Sequence, residues 1–314
     1  MAIREDANKM NIRYIADKAF LTLSFESNAD VLNLRYAADA SINDIAVVQN
    51  IEEAKNTEAR IILMEPSLVQ TDKLILFCDY GDLYGAMVRI ANILYPKYGQ
   101  MPTYILQNGY YISDNVTIEN DVYIAPLVTI GRNVYIGAGT VIEPHVYIGD
   151  NCVIGKNCYI HAGSKIGADS FLHYLENGKA KCFRGIGSTL LGNNVQIGYN
   201  SVIQKGTLAD TTLEDNVLIG NLVIVAHDVH IGKNSRMACQ SGIAGKSKLG
   251  DRVLIMGQSG IIDNITIGND SIILAKSVAT KNIKAGSKIS GNYGREHSEE
   301  LKIQSFVRHK YRRS

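Results

Sequence analysis

Ten isoleucines stand six residues apart: Ile112, Ile118, Ile124, Ile130, Ile136, Ile142, Ile148, Ile154, Ile160 and Ile166. A second run keeps the period from Leu213 through Ile219, Val225, Ile231, Met237, Ile243, Leu249, Ile255, Ile261 and Ile267 to Ile273. Leu191, Ile197 and Ile203 bridge the two runs. This is the hexapeptide signature of a parallel β-helix. Each unit reads as a short strand and a turn. The aliphatic residue points inward, and a small neighbour, as in Ile130-Gly131 or Ile154-Gly155, lets the chain round the corner. Three units close a triangular coil of eighteen residues, and coils stack at about 4.8 Å, so about nine coils make a prism ~43 Å long. Trp is absent and only 6 Phe are present, so Ile, Val and Leu must fill it.

Two interruptions break the period. Between Ile166 and Leu191, Asn177-Gly178 is a tight-turn signal inside a protruding, hairpin-like loop over 168–186. From Ile203 to Leu213 the step is ten, with Gly206 and Asp210 among the extra residues. Excursions from a solenoid commonly line its binding face.

Neither end of the chain repeats in sixes. Residues 44–48, 59–64 and 73–78 read as strands, and 82–95 as an amphipathic helix with Met87, Ile90, Ile93 and Leu94 on one side. The expected organisation is therefore a small α/β domain over 1–100, a β-helix over 101–292 and a C-terminal helix over 293–314. Pro96 and Pro102 bracket the linker into the prism. The fold class is mainly β. The helix at 296–313 runs from acidic to basic, which complements its dipole. It reads either as a cap on the prism or, through Arg308, Lys310, Arg312 and Arg313, as a magnet for an anionic carrier-protein surface or coenzyme A phosphates.

The charge balance, 32 Lys+Arg against 31 Asp+Glu, offers no global field for nucleic acid or an anionic membrane. No apolar run approaches the ~20 residues of a transmembrane span, and the N-terminus lacks a signal-peptide apolar core. Five cysteines without a CxxC pair suit a reducing compartment, so a cytoplasmic protein is expected. Cys152 and Cys158, one hexapeptide apart, are expected to point outward as small surface or interface residues. No GxGxxG marks a dinucleotide site. A zinc site needs three convergent ligands, which His227 and His230 do not supply, so no metal is expected.

His227 is the candidate for chemistry. It occupies a turn, and Gly245 follows eighteen residues later, one coil on. A histidine stacked beside a bare backbone N–H is what acyl transfer to an amine requires. The imidazole takes the proton, and the N–H holds the oxyanion of the tetrahedral intermediate. The competing reading is a solvated corner histidine on a non-enzymic trimerisation platform.

The stretches GADSF (167–171), NNVQIGYNSVIQKGTLADT (193–211) and VAHDVHIG (225–232), with the small N-terminal domain, resemble UDP-3-O-acylglucosamine N-acyltransferase of lipid A synthesis. The resemblance covers nearly the whole chain. It implies a left-handed coil, a homotrimer with sites between subunits, His227 as general base and Gly245 as oxyanion donor. It also implies that Asn221 lines the acceptor pocket and that Asn33 and Tyr36, in NLRY (33–36), contact uracil. Some positions depart from the family. Asp30 stands where an aromatic should face Tyr36, and Gly220 replaces an acidic residue, leaving Asp228 as the nearest carboxylate for His227. Asn264 replaces a second histidine, and the C-terminal helical part, which docks acyl carrier protein in the family, is short. These departures favour acetyl-CoA as thioester co-substrate and a UDP-amino sugar for surface polysaccharide as acceptor. The alternatives are a 3-hydroxyacyl carrier protein, giving a lipid A precursor, and an O-acyltransferase. No permanently bound cofactor is implied.

Overall fold

A computed structural model describes residues 9–66, 71–95, 100–176, 178–291, 294 and 296–311. The hexapeptides form three parallel sheets that wrap a single core, with the coil winding left-handed. The sheets carry eight, nine and ten strands, the last including one antiparallel strand, Ile105–Gln107. Neighbouring strands pair eighteen residues apart, as in Thr129↔Tyr147 and Ile224↔Gly242.

Every in-register aliphatic from Ile130 to Ile273 is buried, most of them at 0% exposure. A second inward column stands two residues before each of them. Along one edge it runs Val134, Cys152, Thr189, Thr211, Val229 and Ser247, all buried. Side chains alternate along a strand, so positions i and i−2 share a face. Cys152 and Cys158 therefore point inward, at 0% and 1% exposure, and not to the surface as expected. Burial pushes the Cys152 thiol up to about 12, which leaves it inert.

The corners turn through a left-handed residue. Asn or Asp most often takes φ near 55–60° there, as at Asn133 (55°), Asn151 (59°) and Asp228 (58°), while Leu127 (64°) and Leu222 (58°) are apolar exceptions. Asn and Asp tolerate that region because their short side chains bond locally. Gly137 precedes one such corner because a Cβ there would lie 2.7 Å from the Gly155 carbonyl carbon of the next coil.

The N-terminal domain is a five-stranded sheet in the order Thr22–Leu23, Leu74–Phe77, Ile61–Met64, Ile45–Val47, Leu34–Tyr36. The last four strands are parallel. Helices α1 (Ile12–Lys18) and α3 (Leu83–Leu94) share one core with the sheet, while Ala54 of α2 (Ile51–Asn56) belongs to a separate cluster with Ala46, Val48 and Ile62. Asn11 and Asn50 start α1 and α2 with side-chain caps on Arg13 and Glu53.

Both interruptions bind this domain to the prism. The first is a hairpin, Leu172–Glu176 against Lys179–Phe183, which shifts the coil-to-coil pairing to Lys165↔Val202. The second is a short loop between the strands Val202–Gln204 and Thr211–Leu213. Phe183 from the hairpin and Leu208 from the loop are fully buried in the core of the N-terminal domain. Burying each contributes roughly 1.5–3 kcal/mol.

Helix α4 (His297–Tyr311) does not cap the prism. Its Leu301, Phe306 and Val307 are 51%, 70% and 44% exposed. Lys302, Gln304, Ser305 and Arg308 interleave with these apolar residues and deny the helix a seating stripe. Arg308 is exposed, whereas the Lys310 side chain, Arg312 and Arg313 lie outside the described residues, as do Pro96 and Asn177. Among the described residues no helix is long and apolar enough to cross a membrane.

Candidate active site

Both excursions leave the same prism edge, and His227 stands on it. The hairpin departs after Ala168, the short loop after Gln204, and His227 follows the strand Ile224–Val225, which pairs with Val202–Ile203. The loop thus lies one coil from His227 and arches over its neighbour Asp228.

Asp228 organises the site. It is 9% exposed and accepts at both oxygens. Oδ1 takes the backbone N–H groups of Thr207 (2.8 Å) and Ala209 (3.1 Å). Oδ2 takes His227 Nδ1 (2.8 Å), the Thr207 hydroxyl and, at 3.3 Å, the hydroxyl of Tyr36. Tyr36 also bonds Thr207 Oγ1 directly. The Asp228 N–H donates to Thr211 Oγ1 (2.9 Å). Burial raises the Asp228 carboxyl, but the bonds from His227 and Thr207 outweigh it and hold the group below its ordinary value. Burial, and then the Asp228 charge, push the Tyr36 hydroxyl up, so it remains a proton donor. With Nδ1–H donating to a fixed carboxylate, His227 presents Nε2 as an acceptor. Its side chain is 12% exposed.

Gly245 lies against that ring: a Cβ there would sit 2.5 Å from His227 Cε1 and 2.7 Å from Nε2. Only glycine leaves the imidazole its place. The bare position has a second effect. On six other corners, the N–H two residues after the inward aliphatic is capped by a side chain of the next coil. These pairs are Arg132 with Asp150, Lys156 with Asn193, Asn193 with Asp215, Tyr199 with Asn221, Lys233 with Asp251 and Asp251 with Asn269, at 2.7–3.0 Å. The equivalent cap for His227 would come from Gly245, which has no side chain. The cap for Gly245 would come from Asp263, which is exposed. Among the described residues neither N–H has an acceptor.

Of the remaining expected residues, only Tyr36 reaches the Asp228 cluster. Asn221 is one corner before His227, exposed, with its carbonyl oxygen committed to Tyr199 N. The structure does not bring it together with His227 within the chain. Gly220 faces the Cys239 N–H, which a Cβ would meet at 2.8 Å, so no acidic residue fits there. Asn33 bonds Asp44 (3.0 Å) and accepts from the Tyr95 hydroxyl (3.4 Å). Asp30 pairs with Lys9. Tyr36, expected with Asn33 to contact a base, has its hydroxyl in the Asp228 cluster and the Lys246 ammonium 4.4 Å from its ring centroid. Sequence reasoning did not identify Thr207 or Lys246. The ten-residue step flagged the loop carrying Thr207, and Lys246 adjoins Gly245.

Comparison with known proteins agrees with this architecture. The family model "Bacterial transferase hexapeptide (six repeats)" matches residues 109–144, 140–174 and 210–245. The UDP-3-O-acylglucosamine N-acyltransferase of Acinetobacter baumannii (strain AYE) is 55% identical over 107 residues, 34% of this chain and 30% of the relative. UDP-3-O-acylglucosamine N-acyltransferase 2 of Legionella pneumophila (strain Lens) is 50% identical over 106 residues, 34% of this chain and 31% of the relative. The chain thus spans about a third of the length of the curated relatives it matches. Among solved structures, the UDP-N-acetylglucosamine acyltransferase of Francisella novicida superposes with a TM-score of 0.52 at 26% identity, covering 64% of this chain and 73% of its own. The UDP-N-acetylglucosamine O-acyltransferase of Moraxella catarrhalis RH4 gives 0.53 at 26% identity, covering 63% and 77%. All four relatives are named acyltransferases. The chain is a hexapeptide-repeat, left-handed β-helix protein that resembles the UDP-3-O-acylglucosamine N-acyltransferases.

Proposed function

We propose that the chain is an N-acyltransferase that moves an acyl group from a thioester to the amine of a UDP-linked amino sugar. The observation that carries this reading is a half-buried imidazole bonded to a buried carboxylate and packed against a glycine whose N–H has no acceptor among the described residues. The amine nitrogen attacks the thioester carbonyl and a C–N bond forms. His227 Nε2 takes the amine proton, and the Gly245 N–H stabilises the oxyanion. Collapse breaks the C–S bond, and the imidazolium returns its proton to the thiolate. Asp228 positions the ring and stabilises its charged form. Asn33, Tyr36 and the N-terminal domain serve the nucleotide, and Asn221 belongs to the acceptor pocket.

The departures from the family pattern favour acetyl-CoA, but the names of the relatives move the preference. The donor becomes a 3-hydroxyacyl carrier protein and the acceptor UDP-3-O-acylglucosamine, a lipid A precursor. A cytoplasmic homotrimer fits this reading, with Tyr123, Tyr159 and Leu218 standing exposed on one sheet face as apolar surface for a second copy. A hydroxyl acceptor is the second reading, favoured by the named O-acyltransferase among the similar structures.

Free-thiol release tests the proposal. Purified wild type and His227→Ala are offered acetyl-CoA or 3-hydroxyacyl carrier protein with UDP-amino sugars. Turnover with the carrier protein is expected, falling by about 10²–10⁴-fold in His227→Ala, with a product that resists hydroxylamine. Turnover with acetyl-CoA alone restores the polysaccharide-sugar reading. A hydroxylamine-labile product indicates ester formation, and an unimpaired His227→Ala removes the mechanism.

A further inference from the structure

The left-handed corner residues along the His227 edge are Asn115, Asn133, Asn151, Asp228, Lys246 and Asn264, at φ 55°, 55°, 59°, 58°, 62° and 57°. Five of the six are Asn or Asp, the types that suit this conformation. Three of them bond up the column, Asn115 to Asn133 at 3.1 Å and Asn133 to Asn151 at 3.0 Å. Asp228 has turned to serve His227. Lys246 breaks the pattern with a long cationic side chain, although the backbone there favours a short polar one.

The Lys246 ammonium makes no ion pair among the described residues and rests 4.4 Å from the Tyr36 ring centroid. Tyr36 cannot turn away, because its hydroxyl is tied to Thr207 and Asp228. The ring is thus a fixed aromatic plane with a flexible cation resting over one face. Lys246 also follows Gly245 directly, so its charge and the uncapped N–H groups of His227 and Gly245 converge on one stretch of the edge. An aromatic plane beside a mobile cation, next to an acyl-transfer centre, fits a base and its attached phosphates.

We infer that Lys246 binds the diphosphate of the nucleotide-linked acceptor and that its place over Tyr36 is vacated when the base stacks there. The inference rests on the proposed nucleotide-sugar acceptor. An ammonium is a compact point charge suited to phosphate, and its stem is long enough to swing from the ring to the anion.

Calorimetric titration with UDP and with uridine tests this on wild type, Lys246→Asn and Lys246→Arg. Asn matches the corner column and preserves the backbone, while Arg restores the charge. Lys246→Asn is expected to weaken UDP by roughly 10-fold or more, the scale of a hydrogen bond to a charged group. Uridine affinity should stay within about twofold or improve slightly as the ring is uncovered. Lys246→Arg should recover most of the UDP affinity. In turnover, the KM for the sugar nucleotide rises while kcat at saturation is retained. Unchanged UDP binding in Lys246→Asn, or equal weakening of UDP and uridine, overturns the inference and leaves the acyltransfer reading standing. Weakening confined to 4′-phosphopantetheine moves Lys246 to the donor and likewise overturns it. A wild type that binds neither UDP nor uridine removes the nucleotide acceptor itself, and this inference with it.

Discussion

Asp228 accepts five hydrogen bonds from four residues, and this single carboxylate ties the N-terminal domain, the short loop and His227 into one cluster. Its folded value lies below its ordinary one. A depressed carboxylate contributes stability above the unfolded value of about 3.9, and loses it as pH falls through the folded value. Asp228→Asn should therefore be clearly less stable than wild type near pH 7, with the gap closing below about pH 4. Denaturant unfolding across that range checks it, and a gap independent of pH contradicts it. The His227–Gly245 pairing was legible because eighteen residues is the period of one coil. Thr207 was not, because it lies where the period breaks and spacing carries no geometry. Cys152 and Cys158 were misassigned because the hexapeptide has two inward positions, and only the aliphatic one announces itself.

At the scale of elements, the hairpin was legible from its interruption and its Asn-Gly pair. Its role as a clasp was not. Phe183 reads as an ordinary strand residue, yet it is fully buried in the core of a domain more than eighty residues earlier in the chain. Phe183→Ala should cost about 3–5 kcal/mol, and the loss should fall on the N-terminal domain. Limited proteolysis should cut residues 9–95 while the prism survives, and an intact N-terminal domain would count against the clasp. Helix α4 was legible as a helix through its dipole-matched charges. Its exposed placement was also legible, since a cap requires an apolar stripe and the sequence holds only scattered apolar positions, although its charges alone suggested a cap.

For the whole molecule, the repeat specifies the prism almost completely, because each hexapeptide repeats one solution to burying an aliphatic side chain and turning a corner. What the repeat cannot announce is where that solution is left unfinished. The six side-chain caps that join successive coils also shield the amides they bind. Where Gly245 removes such a cap, the His227 and Gly245 N–H groups keep no acceptor among the described residues. In hydrogen–deuterium exchange the amides of His227 and Gly245 should lose protection well before those of Arg132, Lys156, Tyr199 and Lys233, whose N–H groups are engaged. An occupied site should slow those two selectively, and uniform protection across these corners would speak against the oxyanion role. The glycine that gives the imidazole its room thus also leaves the His227 amide without a side-chain cap, so a label on two protons can report whether a substrate is seated.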